Sequence, residues 1–174
     1  MSKPAEALVT PRAASSAYVL RDPMPGDMGW IVNRHGVLFN KEFGFNEEFE
    51  AYIGEVVARY ARGRNPKRER CWIAEHEAQA VGSVALVDDG DGIGRLRLLY
   101  VEPGVRKLGI GQALVSACVA EARGIGYRKL TLLTFNVLRS ARPIYESHGF
   151  TIARERTENL FGRQLSVQDW DLAL

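Results

Sequence analysis

The sequence is poor in the features that mark specialised classes of protein. It has two cysteines, Cys71 and Cys118, and three histidines, His35, His76 and His148. Two cysteines this far apart make neither a disulfide framework nor a metal knuckle. Each sits among apolar residues, which suits a buried thiol in a reducing compartment. The histidines share no ligand spacing, so no metal is expected. No apolar run approaches the ~18 residues of a membrane span, and no membrane partner is expected. The first seventeen residues, MSKPAEALVTPRAASSA, lack the apolar core of a signal peptide. Residues 1–17 therefore read as a mobile tail, and a cytoplasmic location is the expectation. Charge of one sign is missing too: Lys plus Arg is 23 and Asp plus Glu is 21, a net +2. That balance supplies no general field for nucleic acid, so any anion site must be local. No Gly-x-Ser-x-Gly elbow exists for a serine nucleophile.

What is present is an ordinary globular composition, 46% hydrophobic and 25% charged over 174 residues. That is one domain, expected over residues 18–174, long enough to bury roughly 70% of its unfolded surface. Residues 18–21 read as a strand stopped by Asp22-Pro23 and Pro25-Gly26. Asp27 is placed as the N-cap of a helix carrying Met28, Ile31, Val32, His35 and Leu38 or Phe39 at helical spacing. Asn46 looks like the N-cap of a second helix, with Phe49, Tyr52, Ile53, Val56, Val57 and Tyr60 as its stripe. Strands are expected over 71–75, 80–87 and 95–101, then a helix over 109–125 and a strand over 129–135. A helix over 138–148 ends at Gly149, a natural C′ glycine. Two closing strands fit 151–156 and 164–172. The order βααβββαβαββ predicts an α+β or α/β domain on a central mixed sheet.

The informative stretch is residues 95–112, RLRLLYVEPGVRKLGIGQ. A buried-type strand runs into a Pro-Gly turn, two cations, and a Gly-x-Gly that opens a helix. Helix N-termini expose unpaired N–H groups and a positive partial charge. Gly109 and Gly111 would let a phosphate approach the backbone, and Arg106 and Lys107 add formal charge. The alternative is a tight strand-to-helix turn with solvated cations. A P-loop fails, because Ile110 and Gly111 stand where GxxxxGK[ST] needs Lys and Ser/Thr. A Rossmann fingerprint fails, because Leu114 holds the third glycine place and Thr131 stands where an acid should be. The pattern [QR]xxGx[GA] is matched in full by Arg106-Lys107-Leu108-Gly109-Ile110-Gly111.

With this motif the sequence resembles the GNAT acetyltransferase superfamily. Leu99, Val101 and Pro103 reproduce the strand before the turn. Asn136, Ala141, Ile144-Tyr145-Glu146 and Gly149-Phe150 reproduce a downstream segment, and the likeness runs from about Tyr18 to the C-terminus. A finer likeness is carried by Gly26-Asp27-Met28-Gly29-Trp30, Arg34-His35-Gly36, Cys71-Trp72-Ile73-Ala74-Glu75 and Val81-Gly82-Ser83. These resemble acetyltransferase domains fused behind MarR-like DNA-binding domains. The seventeen residues before the domain are too few for a helix-turn-helix region, so no regulator half is expected here.

The resemblance implies a GNAT fold: a central mixed, mostly antiparallel sheet of about seven strands with four helices. It implies an acetyl-CoA-dependent N-acetyltransferase acting on a primary amine of a small molecule or peptide, by direct attack in a ternary complex. Acetyl-CoA is then a co-substrate lying in a V-shaped split between residues 95–102 and 129–135. Leu99, Tyr100 and Val101 would pair with the pantetheine arm. Arg106, Lys107, Leu108, Gly109, Ile110, Gly111 and Gln112 would hold the pyrophosphate. An amide near Val101 would face the thioester oxygen. Asn136 would bond the pantetheine arm or the acceptor, and Tyr145 would assist departure of the thiolate. The family's early strand glutamate is replaced by Arg95, so the base stays open among Glu75, Glu102, His35 and water. The missing glutamate also leaves room for a module that senses acyl-CoA without turnover. The acceptor pocket would be built by residues 26–62 and 154–170, with Trp30, Phe39, Phe43, Phe45, Tyr52, Phe161 and Trp170 as a partly aromatic wall. The basic run Arg59, Arg62, Arg64, Lys67, Arg68 and Arg70 reads as a solvated helix end and loop. Nucleic acid is not an expected partner, and a homodimer is compatible with the resemblance.

Overall fold

A computed structural model describes residues 18–174, and the tail expected over residues 1–17 lies outside the described residues. The elements run β1 (Val19–Arg21), α1 (Asp27–Phe43), α2 (Glu47–Gly63), β2 (Arg70–His76), β3 (Gln79–Asp88), β4 (Ile93–Val101), a 3-10 turn (Pro103–Leu108), α3 (Ile110–Ile125), β5 (Lys129–Phe135), α4 (Arg142–Ser147), β6 (Thr151–Leu160) and β7 (Arg163–Ala173). The seven strands form one sheet in the order β1-β2-β3-β4-β5-β7-β6. Only β4 and β5 pair in parallel. This is the α+β domain on a mixed sheet that the element order predicts, and the mostly antiparallel arrangement that the resemblance implies.

Local chemistry explains the helix ends. Asn46 caps α2, its side chain accepting from the Glu48 amide at 3.2 Å. The start of α1 differs from expectation: Gly26 is the N-cap and Asp27 the first helical residue. The Asp27 carboxylate instead accepts from the Met24 amide at 2.7 Å and pairs with Arg21 at 2.6 Å. The last helix is shorter than expected, because Pro143 at its first turn fixes the start near Arg142. Residues 138–141 are turns that leave Leu138 and Ala141 facing the site.

The sheet is covered on both faces. Helices α3 and α4 pack on one side, with Leu114, Val115, Cys118, Leu130 and Trp170 in that core. Helices α1 and α2 pack on the other, with Ile31, Phe39, Phe45, Phe49 and Phe161. His35 belongs to this second core, its ring 5.2 Å from that of Tyr100 and 5.5 Å from that of Phe39. Its Nδ1 donates to the Ile31 carbonyl at 2.8 Å, which leaves the lone pair on Nε2. Burial pushes its pKa down to about 4.

The feature that positions the site is a break in the sheet. Strands β4 and β5 pair only at Ile93↔Lys129, Gly94↔Leu130 and Arg95↔Thr131. Beyond that the strands part. The cause lies on the other edge of β4. Ser83 pairs with Tyr100 and Ala85 with Arg97, so Leu98 and Leu99 together oppose Val84. This is a β-bulge, which bends its strand and tightens the local twist. Leu98 takes a left-handed backbone, with φ 57°. The buried Ser83 hydroxyl donates to the Leu98 carbonyl at 2.7 Å and satisfies the group that the bulge displaces.

Two outcomes follow from these contacts. Ser83→Ala strands a buried carbonyl and should destabilise the fold by about 1–3 kcal/mol in urea denaturation. For His35, the unfolded imidazole titrates near 6.5 and the folded one near 4. The folded state binds fewer protons between those values. Stability is therefore full above about pH 6.5 and falls as the pH drops toward 4. This residue alone should cost about 2 kcal/mol between pH 7 and pH 5. Denaturation midpoints across that window should fall less steeply in His35→Gln than in the wild type.

Candidate active site

Where β4 and β5 part, a cleft of about 310 Å³ opens beneath α1. Leu99, Tyr100 and Val101 of β4 line it, with Arg106, Gly109, Gly111 and Gln112 from the glycine turn and Tyr145 from α4. The backbone of β4 is turned toward this cleft. The Glu102 amide donates to Val81 on β3 at 2.8 Å. Strand alternation then points the Val101 amide away from β3 and into the split. Arg106 holds the neighbouring carbonyl, its Nε donating to Val101 O at 3.2 Å.

The glycine turn divides its labour. Gly109 has φ 77°, caps α3 with no side-chain hydrogen bond, and a Cβ added there would meet nothing within 4 Å. It leaves the first amides of α3 bare toward open space, the geometry an anion needs. Gly111 also lines the cleft, and a Cβ there would stand 2.8 Å from Ile144 Cδ1, so this glycine brings α3 close to α4 at the cleft wall. The two cations also differ. Arg106 pairs with Glu42 of α1 at 3.0 Å, while Lys107 makes no ion pair among the described residues. Ile110 is fully buried and Leu108 is 40% exposed, and neither side chain lines the cleft. Gln112 Nε2 donates to Ser147 at 3.1 Å and ties α3 to α4.

Tyr145 is 5% exposed, with ring neighbours Phe150 and Trp170 at 6.0 Å each. Burial pushes its phenol above the usual tyrosine range. Among the described residues its hydroxyl has no protein hydrogen-bond partner. Asn136 sits elsewhere. Its side-chain oxygen accepts from the Ser166 amide at 3.2 Å and its own amide donates to the Ser166 carbonyl at 3.0 Å, which ties β5 to β7. It faces a further pocket with Arg139, Arg142 and Gln168, which shares Thr134, Phe135 and Leu138 with the inner cavity described next.

A second, smaller cavity of about 90 Å³ lies on the α2 side of the split. It shares Phe39, Leu99, Leu138 and Tyr145 with the cleft, so the two spaces meet at the parting of the strands. His35, Arg95, Arg97 and Thr134 are among the residues lining it. Among the described residues the buried Thr134 Oγ1 has no partner. Sequence reasoning passed over Arg97 and Thr134. The available signal was the alternation Arg95-Leu96-Arg97-Leu98, two cations in an otherwise apolar strand.

Of the three residues weighed as a base, Glu75 is ion-paired with Arg21 at 2.7 Å and Glu102 with Arg34 at 2.5 Å. Neither lines either space. His35 does line the inner cavity, as a neutral ring. The basic run is partly neutralised: Arg68 pairs with Asp88 at 2.5 Å and Arg70 with Asp22 at 3.1 Å, while Arg64 donates to the Tyr60 hydroxyl at 3.1 Å. Among the described residues no helix is long and apolar enough to cross a membrane.

Comparison with known proteins agrees with this geometry. The model of the acetyltransferase (GNAT) domain matches residues 67–152. N-acetyltransferase 8 of Homo sapiens is 38% identical over 84 residues, 45% of this chain and 37% of that protein. This chain thus spans little more than a third of the human relative's length. Among solved structures, ribosomal-protein-alanine N-acetyltransferase from Brucella melitensis superposes with a TM-score of 0.72 at 19% identity, covering 90% of this chain and 99% of that one. A Salmonella typhimurium structure, described as an acetyltransferase with its cofactor acetyl-CoA, gives 0.69 at 21% identity, covering 90% and 94%. These two likenesses establish the fold. An uncharacterized N-acetyltransferase of Schizosaccharomyces pombe is 30% identical over 112 residues, 63% of this chain and 68% of that protein. A likeness that reaches across two thirds of this relative, with the GNAT domain match over residues 67–152, makes this chain a member of the GNAT acetyltransferase family.

Proposed function

We propose that this protein transfers an acetyl group from acetyl-CoA to a primary amine in a ternary complex. The observation that carries this reading is the meeting of two spaces at Leu99 and Tyr145. A donor in the larger cleft and an acceptor in the inner cavity would meet at this junction, which Phe39 and Leu138 also line.

The residues present fit acetyl-CoA. Gly109 leaves an open concavity at an uncapped helix start, and Lys107 stands beside it with no ion pair among the described residues. From Leu96 onward the β5-facing edge of β4 has no strand partner, so Leu99 and Val101 offer backbone groups to a pantetheine amide. Bound there, acetyl-CoA supplies a thioester acyl donor. The Val101 amide, aimed into the split, is placed to donate to the carbonyl oxygen as negative charge develops on it. Tyr145 donates a hydrogen bond to the departing sulfur. Its phenol, raised by burial, is a weaker acid than a thiol of pKa near 8.5, so it stabilises the thiolate without giving up its proton. His35 Nε2 is a neutral acceptor for an amine N–H. With a pKa of about 4 it is too weak a base to keep the proton, which passes to water. Two buried free thiols, Cys71 and Cys118, suit the reducing cytoplasm as the place of action.

Thiol release from acetyl-CoA with a panel of primary amines tests the reading. Binding of CoA without release would make the protein a sensor. Tyr145→Phe keeps the ring and its packing and removes the hydroxyl. A hydrogen bond to a charged group contributes about 1.5–3 kcal/mol, so kcat should fall by at least about tenfold. The CoA dissociation constant should change little, and an unchanged kcat would leave Tyr145 as core alone. In a thermal-shift screen acetyl-CoA should stabilise the protein more than NAD or ATP, since neither a Rossmann acid nor a P-loop lysine is present.

A further inference from the structure

The inner cavity has two features that acetyl transfer by itself does not require. One is Arg97. Its Nη1 donates to the Tyr52 hydroxyl at 2.9 Å, a neutral partner. Among the described residues no carboxylate lies within ion-pair distance of it. Arg95, the other arginine at this cavity, is paired with Asp89 at 2.5 Å. Two acids, Glu55 and Glu69, line the outer side of Arg97. Glu69 is already engaged, accepting from the amides of Asn65 and Asp88 at 2.7 and 3.0 Å. Glu55 is out of ion-pair reach. A half-buried guanidinium held in place by a tyrosine, without a counter-ion, is a ready fork for a carboxylate. The other feature is Thr134 of β5, one of the residues lining this space, whose buried hydroxyl has no partner among the described residues. Orphaned buried hydroxyls are uncommon, and a ligand atom is one thing that satisfies them.

We infer that the acceptor is an amino acid with a short aliphatic side chain, its carboxylate held by Arg97 and its amine presented at the parting of β4 and β5. This rests on the acetyl-transfer reading for the identity of the cavity. Size sets the aliphatic body. A cavity of roughly 150 Å³ takes a benzene ring. At about 90 Å³ this one suits a branched chain of a few carbons between walls of Phe39, Ile53 and Leu133. Arg97 lies two residues before Leu99 on β4, and the left-handed Leu98 between them draws the two closer than an extended strand would. The long guanidinium arm closes part of that span toward a carboxylate that sits a few ångströms from its own amine. Charge sets the rest. An amine without an acid group would leave a desolvated cation facing it, and a repelled pair of like charges is costly in a part-buried site.

The test compares L-leucine with 3-methylbutylamine, the same molecule without its carboxylate. Calorimetric titrations use the full chain saturated with CoA, and thiol-release assays use acetyl-CoA with the same two amines. L-leucine should bind at least about tenfold more tightly than the amine. Arg97→Met keeps the aliphatic stem and removes the charge, and should erase that preference. Arg97→Lys keeps a cation and should retain part of it, which separates loss of charge from loss of fold. Equal binding of the two amines, no binding of either, or a preference that survives Arg97→Met overturns the inference. If both amines are acetylated without discrimination, acetyl transfer stands and the carboxylate site falls. If L-leucine binds through Arg97 but no thiol is released, the carboxylate site stands and acetyl transfer falls.

Discussion

One extra residue in β4 governs this structure. A sheet of seven strands would otherwise be a closed surface, with every backbone group of its inner strands engaged. Setting Leu98 and Leu99 against the single Val84 bends β4 away from β5 after only three paired positions. The bend costs a left-handed residue at Leu98 and a displaced carbonyl, and the Ser83 hydroxyl offsets the second of these. In return the strand acquires a free inner edge in the middle of a folded domain. Unpaired strand groups are normally confined to the rim of a sheet. Here they line a cleft, where a linear amide-bearing ligand can take the place of a strand.

The roof over that cleft is fixed by charge as much as by packing. Arg34 reaches Glu102, just past the end of β4, at 2.5 Å, and Glu42 reaches Arg106 in the 3-10 turn at 3.0 Å. The two pairs sit about two turns apart on α1. Pairs this exposed stabilise by about 1 kcal/mol or less each. Their effect is one of register: they hold α1 across the mouth of the split, with Phe39 over the junction of the two spaces. Arg21, bonded to both Asp27 and Glu75, pins the start of the same helix to the first two strands. Several residues behind the likeness to MarR-fused domains, among them Asp27, Arg34, Glu75 and Ser83, serve this frame. They speak to how the site is held, not to what it takes.

The fold was legible in the sequence because its signals are local. Helix stripes, the Asn46 cap and the glycine punctuation each depend on residues a few positions apart. The same holds for the cofactor side of the site, since Arg106 to Gly111 is a contiguous motif. What was not legible depends on contacts between distant segments. Nothing near Gly111 reveals that Ile144 closes against it. Nothing near Asn136 reveals Ser166, which takes both its side chain and its backbone into the β5–β7 ladder. The carboxylates weighed as bases look free in the sequence, but Glu75 and Glu102 are bound to arginines 54 and 68 residues away. The Leu98–Leu99 bulge carries no glycine to announce it, and the hydroxyl that satisfies its carbonyl comes from the neighbouring strand.

The aromatic residues show how the inner cavity acquires its limits. Phe39, Phe45, Phe49, Phe135 and Phe161 form one connected cluster, with centroid distances from 4.6 Å between Phe39 and Phe49 to 5.9 Å between Phe39 and Phe45. Trp170 lies on the opposite face of the sheet beside Tyr145 and forms no part of that wall. A wall of interlocked rings does not yield easily, since moving one ring disturbs several contacts and overpacking costs about 1–3 kcal/mol. The inner cavity is therefore a fixed remainder, the volume those rings leave unfilled, and not a pliable groove. Its shape is set by the core of the α1–α2 face, while Arg97 of β4 brings a charge to its lining. On the proposed reading of this cavity as the acceptor site, selectivity rests on residues that also hold the domain together, so a change of substrate by mutation must pass through the core itself.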